Sequence, residues 1–223
     1  MPLANIVVET FLKGGPIMWP ILACLVVALA TVAERVLYWR KVRRLPAEPA
    51  FAEALGDVRV GRYGPVWERT RDAASPFLVA LRAGLANGRA EPVTAMQLSA
   101  EETLEEAGTR QWLLSTIVTL APLLGLLGTV IGIMGSFQFI GSEQLAVAKV
   151  SGGVGEALIA TAAGLGIAIV CLIPHNYFHR RVQALRHDLE QAVNQAEVAL
   201  KATAAAGQPV GEFQPETAAG RAR

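Results

Sequence analysis

Residues Val154–Pro174 read VGEALIATAAGLGIAIVCLIP, an apolar run in which Glu156 is the single charged side chain. A helix rising 1.5 Å per residue needs about 20 such residues to cross a bilayer core of roughly 30 Å. The run meets that requirement, and two others do as well. Ile17–Ala33 carries no charge and is closed by Glu34 and Arg35, with Val36, Leu37, Tyr38 and Trp39 as an interfacial flank. Trp112 opens a third uncharged stretch that lasts until Glu143 and contains Pro122. A kink at that proline is tolerable in lipid when neighbours satisfy the freed carbonyl. The first run is expected to be a retained anchor: its basic cluster follows the apolar residues, and no small-residue cleavage site comes after it.

The rest of the sequence agrees with a membrane class. Of 223 residues, 52% are hydrophobic and 17% charged, a balance too apolar for an ordinary soluble domain. A net charge of +1 gives no support for nucleic-acid binding. Cys24 and Cys171 lie inside separate apolar runs and read as small buried hydrophobes. Basic residues set the orientation. Arg35, Arg40, Lys41, Arg43 and Arg44 follow the first run, and Arg180, Arg181 and Arg186 follow the last, against Lys13 and Lys149 on the other side. The positive-inside rule then places the N-terminus and the short link outside, with the large loop and the C-terminus in the cytoplasm.

The expected fold is all-α: an integral membrane protein with three transmembrane helices and a helical cytoplasmic region. Segment 1–16 is an outer N-terminal piece, with Leu3, Ile6, Val7, Thr10 and Phe11 spaced as a short interfacial helix. The spans are assigned to 17–39, 112–141 and 154–174, with a link at 142–153 that makes the last two an antiparallel hairpin. The loop, 40–111, is cut into short helices by Pro46, Pro49, Pro65, Pro76 and Pro92. An acidic helix over Glu91–Arg110 is expected to run straight into the second span, with Pro92 in its first turn. In 175–206 a helix carries an apolar seam of Val182, Leu185, Leu189, Val193, Ala196 and Leu200. That seam fits packing on the chain's own loop or a bundle between subunits. The tail, 207–223, is expected to be disordered.

Three features of the spans bear on function. Glu156 is a carboxylate inside a membrane helix, an arrangement costing on the order of 2.5–3.5 kcal/mol unless it is protonated, paired or facing water. It suits a pore or a partner contact; the plainer alternative is that it reaches the outer interface, about one turn away. Small residues form stripes at four-residue spacing: Gly125 with Thr129, Gly128 with Gly132 and Ser136, and Ala160 with Gly164 and Ala168. Such stripes let helix backbones approach closely in lipid. One stripe is explained by the hairpin, and two point to a tightly packed oligomer. Thr129 and Thr161 are polar stations if these helices line a channel, although a threonine hydroxyl also commonly bonds its own helix. Glu156 and Thr161 are separated by roughly 140° around an ideal helix, so they do not share one narrow stripe.

The stretches GLLGTVIGIM at 125–134 and GEALIATAAG at 155–164 resemble the two signature helices of the MotA/TolQ/ExbB proton channel family. The N-terminal FLKGGPIMWP is similar to the ExbB and TolQ branch. The resemblance runs from about Val8 to Leu200. It implies a multi-pass protein of the bacterial inner membrane, N-terminus periplasmic and C-terminus cytoplasmic. It further implies a homo-oligomer, a pentamer in this family, around a single-span ExbD/TolR-like partner whose aspartate is the main proton carrier. A TonB-like or Tol-type envelope protein would act beyond that partner. Carried over by motif, Glu156, Thr129 and Thr161 are the polar pore residues. The family often has proline where this chain has Val170, and here the proline is Pro174.

Weaker signals add little. His175 and His179 share a helical face but lack a nearby third ligand. The Arg40–Arg44 cluster follows a span directly, so lipid headgroups explain it better than nucleic acid. No nucleophile–base constellation or phosphate-cradling loop is present, and neither enzyme activity, a metal nor a cofactor is expected. The resulting expectation is a proton-channel subunit of a motor complex that uses proton motive force. The alternative is a non-conducting scaffold assembled around a partner helix.

Overall fold

A computed structural model describes residues 3–42, 48–137, 146–208 and 210. Every regular element among them is an α-helix: α1 (Leu3–Lys13), α2 (Met18–Val42), α3 (Glu48–Arg59), α4 (Tyr63–Arg69), α5 (Pro76–Ala86), α6 (Pro92–Gly108), α7 (Gln111–Phe137) and α8 (Ala146–Ala205). Three of these stretches, in α2, α7 and α8, are long and apolar enough to cross a membrane. The protein is an all-α integral membrane protein with three transmembrane helices. Its contacts divide the chain into two compact units, Met1–Val36 with Arg110–His179, and Leu37–Thr109 with Arg180–Arg223.

The first unit is built on small residues. Along α7 the buried positions are Leu114, Ile117, Ala121, Gly125, Gly128, Gly132 and Ser136, one helical face. Gly164 of α8 abuts the Ala121 carbonyl, Thr161 meets Gly125, and Ala157 meets Gly132. Residue numbers rise on one helix as they fall on the other, so the pair is antiparallel. α2 closes against them: Met18 and Ile21 bury with Ala160, and Ile17, Leu124, Ile159 and Ala163 pack around that cluster. The outward face keeps Leu123, Leu126 and Met134 of α7 and Leu158, Ile169 and Ile173 of α8 exposed, as lipid or a neighbouring subunit requires. Glu34 joins the ends of the spans: it pairs with Arg35 at 3.0 Å and with Arg110. On α1, outside the apolar runs, Lys13 hydrogen-bonds Glu9 at 2.7 Å, and that bond holds the exposed Glu9 carboxyl below the usual range.

The second unit is a water-type core. Leu55 and Val58 of α3, Val66 of α4, Leu78, Leu81 and Leu85 of α5 and Met96 of α6 bury together with Val193, Ala196 and Leu200 of α8. The later part of the apolar seam after the third span, Val193, Ala196 and Leu200, therefore packs on the chain's own loop helices. Prolines punctuate as the sequence implied, with Pro76 and Pro92 in the first turns of α5 and α6. The Tyr63 hydroxyl donates to Gln208 O at 3.0 Å and lies 2.7 Å from the Thr203 hydroxyl, fastening the end of α8 to α4.

Several details depart from the sequence reading. The acidic helix does not run straight into the second span. α6 stops at Gly108, Thr109 is extended, and Arg110 has a left-handed φ of 62°. For a side-chain-bearing residue that conformation costs roughly 1–2 kcal/mol, and the Arg110–Glu34 pair forms where it occurs. α8 is helical from Ala146, ahead of Val154, and continues through Pro174 to Ala205. Of the link at 142–153, residues 142–145 lie outside the described residues. The expected disorder of the tail concerns residues that, apart from 207, 208 and 210, also lie outside them, and Val210 is buried in the second core.

Candidate functional site

The Gly14-Gly15-Pro16 break between α1 and α2 lies against Glu156, the carboxylate in the apolar run of α8. Gly15 has φ 73°, a conformation that glycine adopts without steric penalty. The half-buried Glu156 side chain lies directly against it: a Cβ added at Gly15 would collide with the Glu156 carboxylate. One turn further along α8, Ile159 occupies the space beside Gly14, at 3.0 Å from where its Cβ would stand. The turn thus sits on the α8 segment that carries the charge, and only a residue without a side chain allows that approach.

The two threonines have different surroundings. The Thr161 hydroxyl donates across the hairpin to the Gly125 carbonyl at 2.8 Å. The Thr129 hydroxyl donates to Leu126 O of its own helix at 2.6 Å, the common behaviour of helical threonines. Among the described residues, then, Glu156, Thr129 and Thr161 have three separate partners: the α1–α2 turn, the α7 backbone locally, and the α7 backbone across the hairpin.

The small-residue stripes face each other. Gly125, Gly132 and Gly164 stand against backbone atoms of the opposing helix. A Cβ at Gly132 would come to 2.9 Å from Gly153 O, and one at Gly125 to 3.0 Å from the Thr161 Cα. Gly128 is where α7 and α8 meet the α1–α2 turn, because its Cβ would stand 2.6 Å from the Ala160 Cβ and 2.8 Å from Ile17. Ala168 is buried on the same side of α8. One intramolecular contact uses both stripes, so their number is no argument for an oligomer. Spacing showed that each helix had a smooth face; it did not show that the faces were mutual.

Sequence reasoning missed Gly15 and Ile17. The Gly-Gly-Pro triplet was a visible turn signal, but nothing in it indicated which side chain the turn would cover. His175 and His179 stack with ring centroids 6.2 Å apart and 20° between planes.

Comparison with known proteins fits this architecture. The sequence model of the MotA/TolQ/ExbB proton channel family matches residues 74–191, which contain α7, Glu156 and both threonines. A putative biopolymer transport protein, ExbB-like 1, of a Synechocystis species is 35% identical over 176 residues, covering 74% of this chain and 67% of that protein. The chain belongs to the MotA/TolQ/ExbB proton channel family. Within it, similarity extends to both named branches. The biopolymer transport protein ExbB of Neisseria gonorrhoeae is 42% identical over 88 residues, 39% of this chain and 40% of that one. The Tol-Pal system protein TolQ of Haemophilus influenzae is 39% identical over 95 residues, 42% of each chain. Membership in the ExbB/TolQ-like branch gives the three apolar helices a transport context and makes Glu156, in the matched region, the residue with a charge to explain.

Proposed function

We propose that the chain is the channel-forming subunit of an inner-membrane motor that couples proton motive force to transport or envelope work. Several copies, five by analogy with the family, surround an ExbD/TolR-like single-span partner, with a TonB-like or Tol-type protein beyond. The N-terminus and the α7–α8 link are periplasmic; the loop helices and the C-terminus are cytoplasmic. Glu156 is the principal polar group that this subunit contributes to the pathway, and Thr129 and Thr161 are secondary stations.

The observation that carries this reading is a charged side chain within a membrane helix of a proton channel family member, half-buried against a glycine turn. Such a residue is retained at a cost of several kcal/mol unless it faces water or a partner. The test is system-dependent growth or uptake in cells carrying Glu156 variants. Glu156→Ala abolishes coupling while membrane insertion and oligomer size persist. Glu156→Asp retains more activity than Glu156→Gln when ionisation matters. Wild-type coupling in Glu156→Ala would leave the carboxylate at the outer interface with no transport role. The scaffold reading draws support from the threonines, whose hydroxyls already have structural acceptors. Under it, the same variants would keep the partner bound and change no proton flux.

A further inference from the structure

The second unit holds an open cavity of about 660 Å³, within the roughly 300–1,000 Å³ range of sites that enclose small molecules. Much of its wall is carbon, from Phe51, Leu55, Phe77 and Leu185. Two further lining residues carry N–H groups with nothing to donate to. Trp39 is only 5% exposed, and its indole Nε1 is buried without an acceptor among the described residues; the Nε of Arg181 is in the same condition. The Arg181 guanidinium lies over the Trp39 ring, 5.3 Å from its centroid, so both donors belong to one stack at the cavity wall. Buried donors left unpaired are rare in folded proteins and call for an explanation.

Position along the chain indicates which acceptor is at hand. Trp39 follows the last residue of the first charge-free run, Ala33, by about 9 Å of helix, and Arg181 follows Pro174 by about 10 Å. Each therefore follows an apolar run by about two helical turns, the distance at which side chains meet the headgroup layer bordering a hydrocarbon core. Arg40, Lys41, Arg43 and Arg44 follow Trp39 in sequence, and cations placed there attract anionic lipid. Arg59 also lines the cavity, and among the described residues Asp188 is the one carboxylate that does, so that lining carries a net positive charge. Water would satisfy the two donors but not the carbon wall; inorganic phosphate would leave that wall bare.

We propose that this cavity binds one acidic phospholipid. Its phosphate accepts from Arg181 and Trp39, and one acyl chain lies along Phe51, Leu55, Phe77 and Leu185. The inference is independent of channel activity and stands or falls by itself.

The test uses the full-length protein, purified in non-ionic detergent and stripped of lipid. It is titrated separately with short-chain phosphatidylglycerol, with phosphatidylcholine of equal chain length and with inorganic phosphate, and adducts are counted by native mass spectrometry. One saturable phosphatidylglycerol site per chain is expected, with the other two probes at least tenfold weaker. Arg181→Gln weakens binding by about tenfold, the size of one lost hydrogen bond to a charged group. Trp39→Phe, which keeps a ring and removes a donor to the same charged phosphate, also weakens it by about tenfold. Arg59→Gln, at an exposed position that puts folding at little risk, also weakens it, and Arg180→Gln does not. Unchanged binding in Arg181→Gln, Trp39→Phe and Arg59→Gln overturns the proposal. Equal affinity for phosphatidylcholine overturns it in favour of a plain apolar cleft, and equal affinity for phosphate in favour of a free-anion site. Disulfides between chains carrying Ala52→Cys and Gln195→Cys overturn it in favour of a second copy covering the cavity.

Discussion

Gly164→Ala tests the α7–α8 contact with a single methyl group. That methyl would be driven into the Ala121 carbonyl and would stand 3.1 Å from the Gly125 Cα and 3.2 Å from the Ala121 carbonyl carbon. Carbon atoms prefer about 3.5–4.0 Å, and backbone cannot rotate aside, so the helices must separate by several tenths of an ångström. Overpacking of this kind costs about 1–3 kcal/mol. The separation also stretches the Thr161–Gly125 hydrogen bond one turn away. Gly166, two residues along the same helix, has nothing within 4 Å of its would-be Cβ and is the control. Both alanines gain the same helix propensity, about 1 kcal/mol, so the difference between the variants isolates the steric effect. Reversible unfolding in mixed micelles of dodecyl maltoside and dodecyl sulfate, followed by tryptophan fluorescence, should place Gly164→Ala about 1–3 kcal/mol below Gly166→Ala. Equal stability of the two would refute the close backbone approach on which the first unit rests.

Further tests follow from the same packing. Gly15→Ala should reduce coupling without blocking insertion, because it forces a left-handed alanine, at roughly 1–2 kcal/mol, and displaces the Glu156 carboxylate; full coupling would show that the turn does not position that group. Thr161→Val should destabilise the hairpin by about 0.5–1.5 kcal/mol through loss of its bond to Gly125, whereas Thr129→Val should change stability less. Equal losses would mean that the cross-helix bond is not special. For orientation, a cysteine at Ser142 should label from the periplasm and one at Gly88 only after the inner membrane is opened; the reverse pattern would invert the topology.

The three spans were legible because lipid imposes a length and a composition that few other contexts reproduce. The loop's helical punctuation was legible for a similar reason, since proline marks first turns. What escaped was whatever depends on which surface meets which. The stripes at Gly125–Gly132 and Ala160–Ala168 were visible as smooth faces, yet their partner was misjudged because periodicity describes one helix at a time. Gly108 was the one visible sign of the stop at Thr109–Arg110, but an isolated glycine is tolerated inside a helix, and an arginine with positive φ is a tertiary outcome. Glu156 stood out at once as a charge in an apolar run. That Gly15 would lie against it required the α1–α2 turn to fold onto α8, a contact between residues distant in sequence. The Trp39–Arg181 stack was hidden for the same reason.

The central claim is that Glu156 serves proton movement, and the most direct measurement is proton flux into liposomes containing this protein with its single-span partner. Under an imposed membrane potential, the wild-type complex should acidify the lumen, and Glu156→Ala complexes of the same size and partner content should not. Flux that is unchanged by Glu156→Ala would contradict the account, and so would a wild-type complex that conducts no more than empty vesicles.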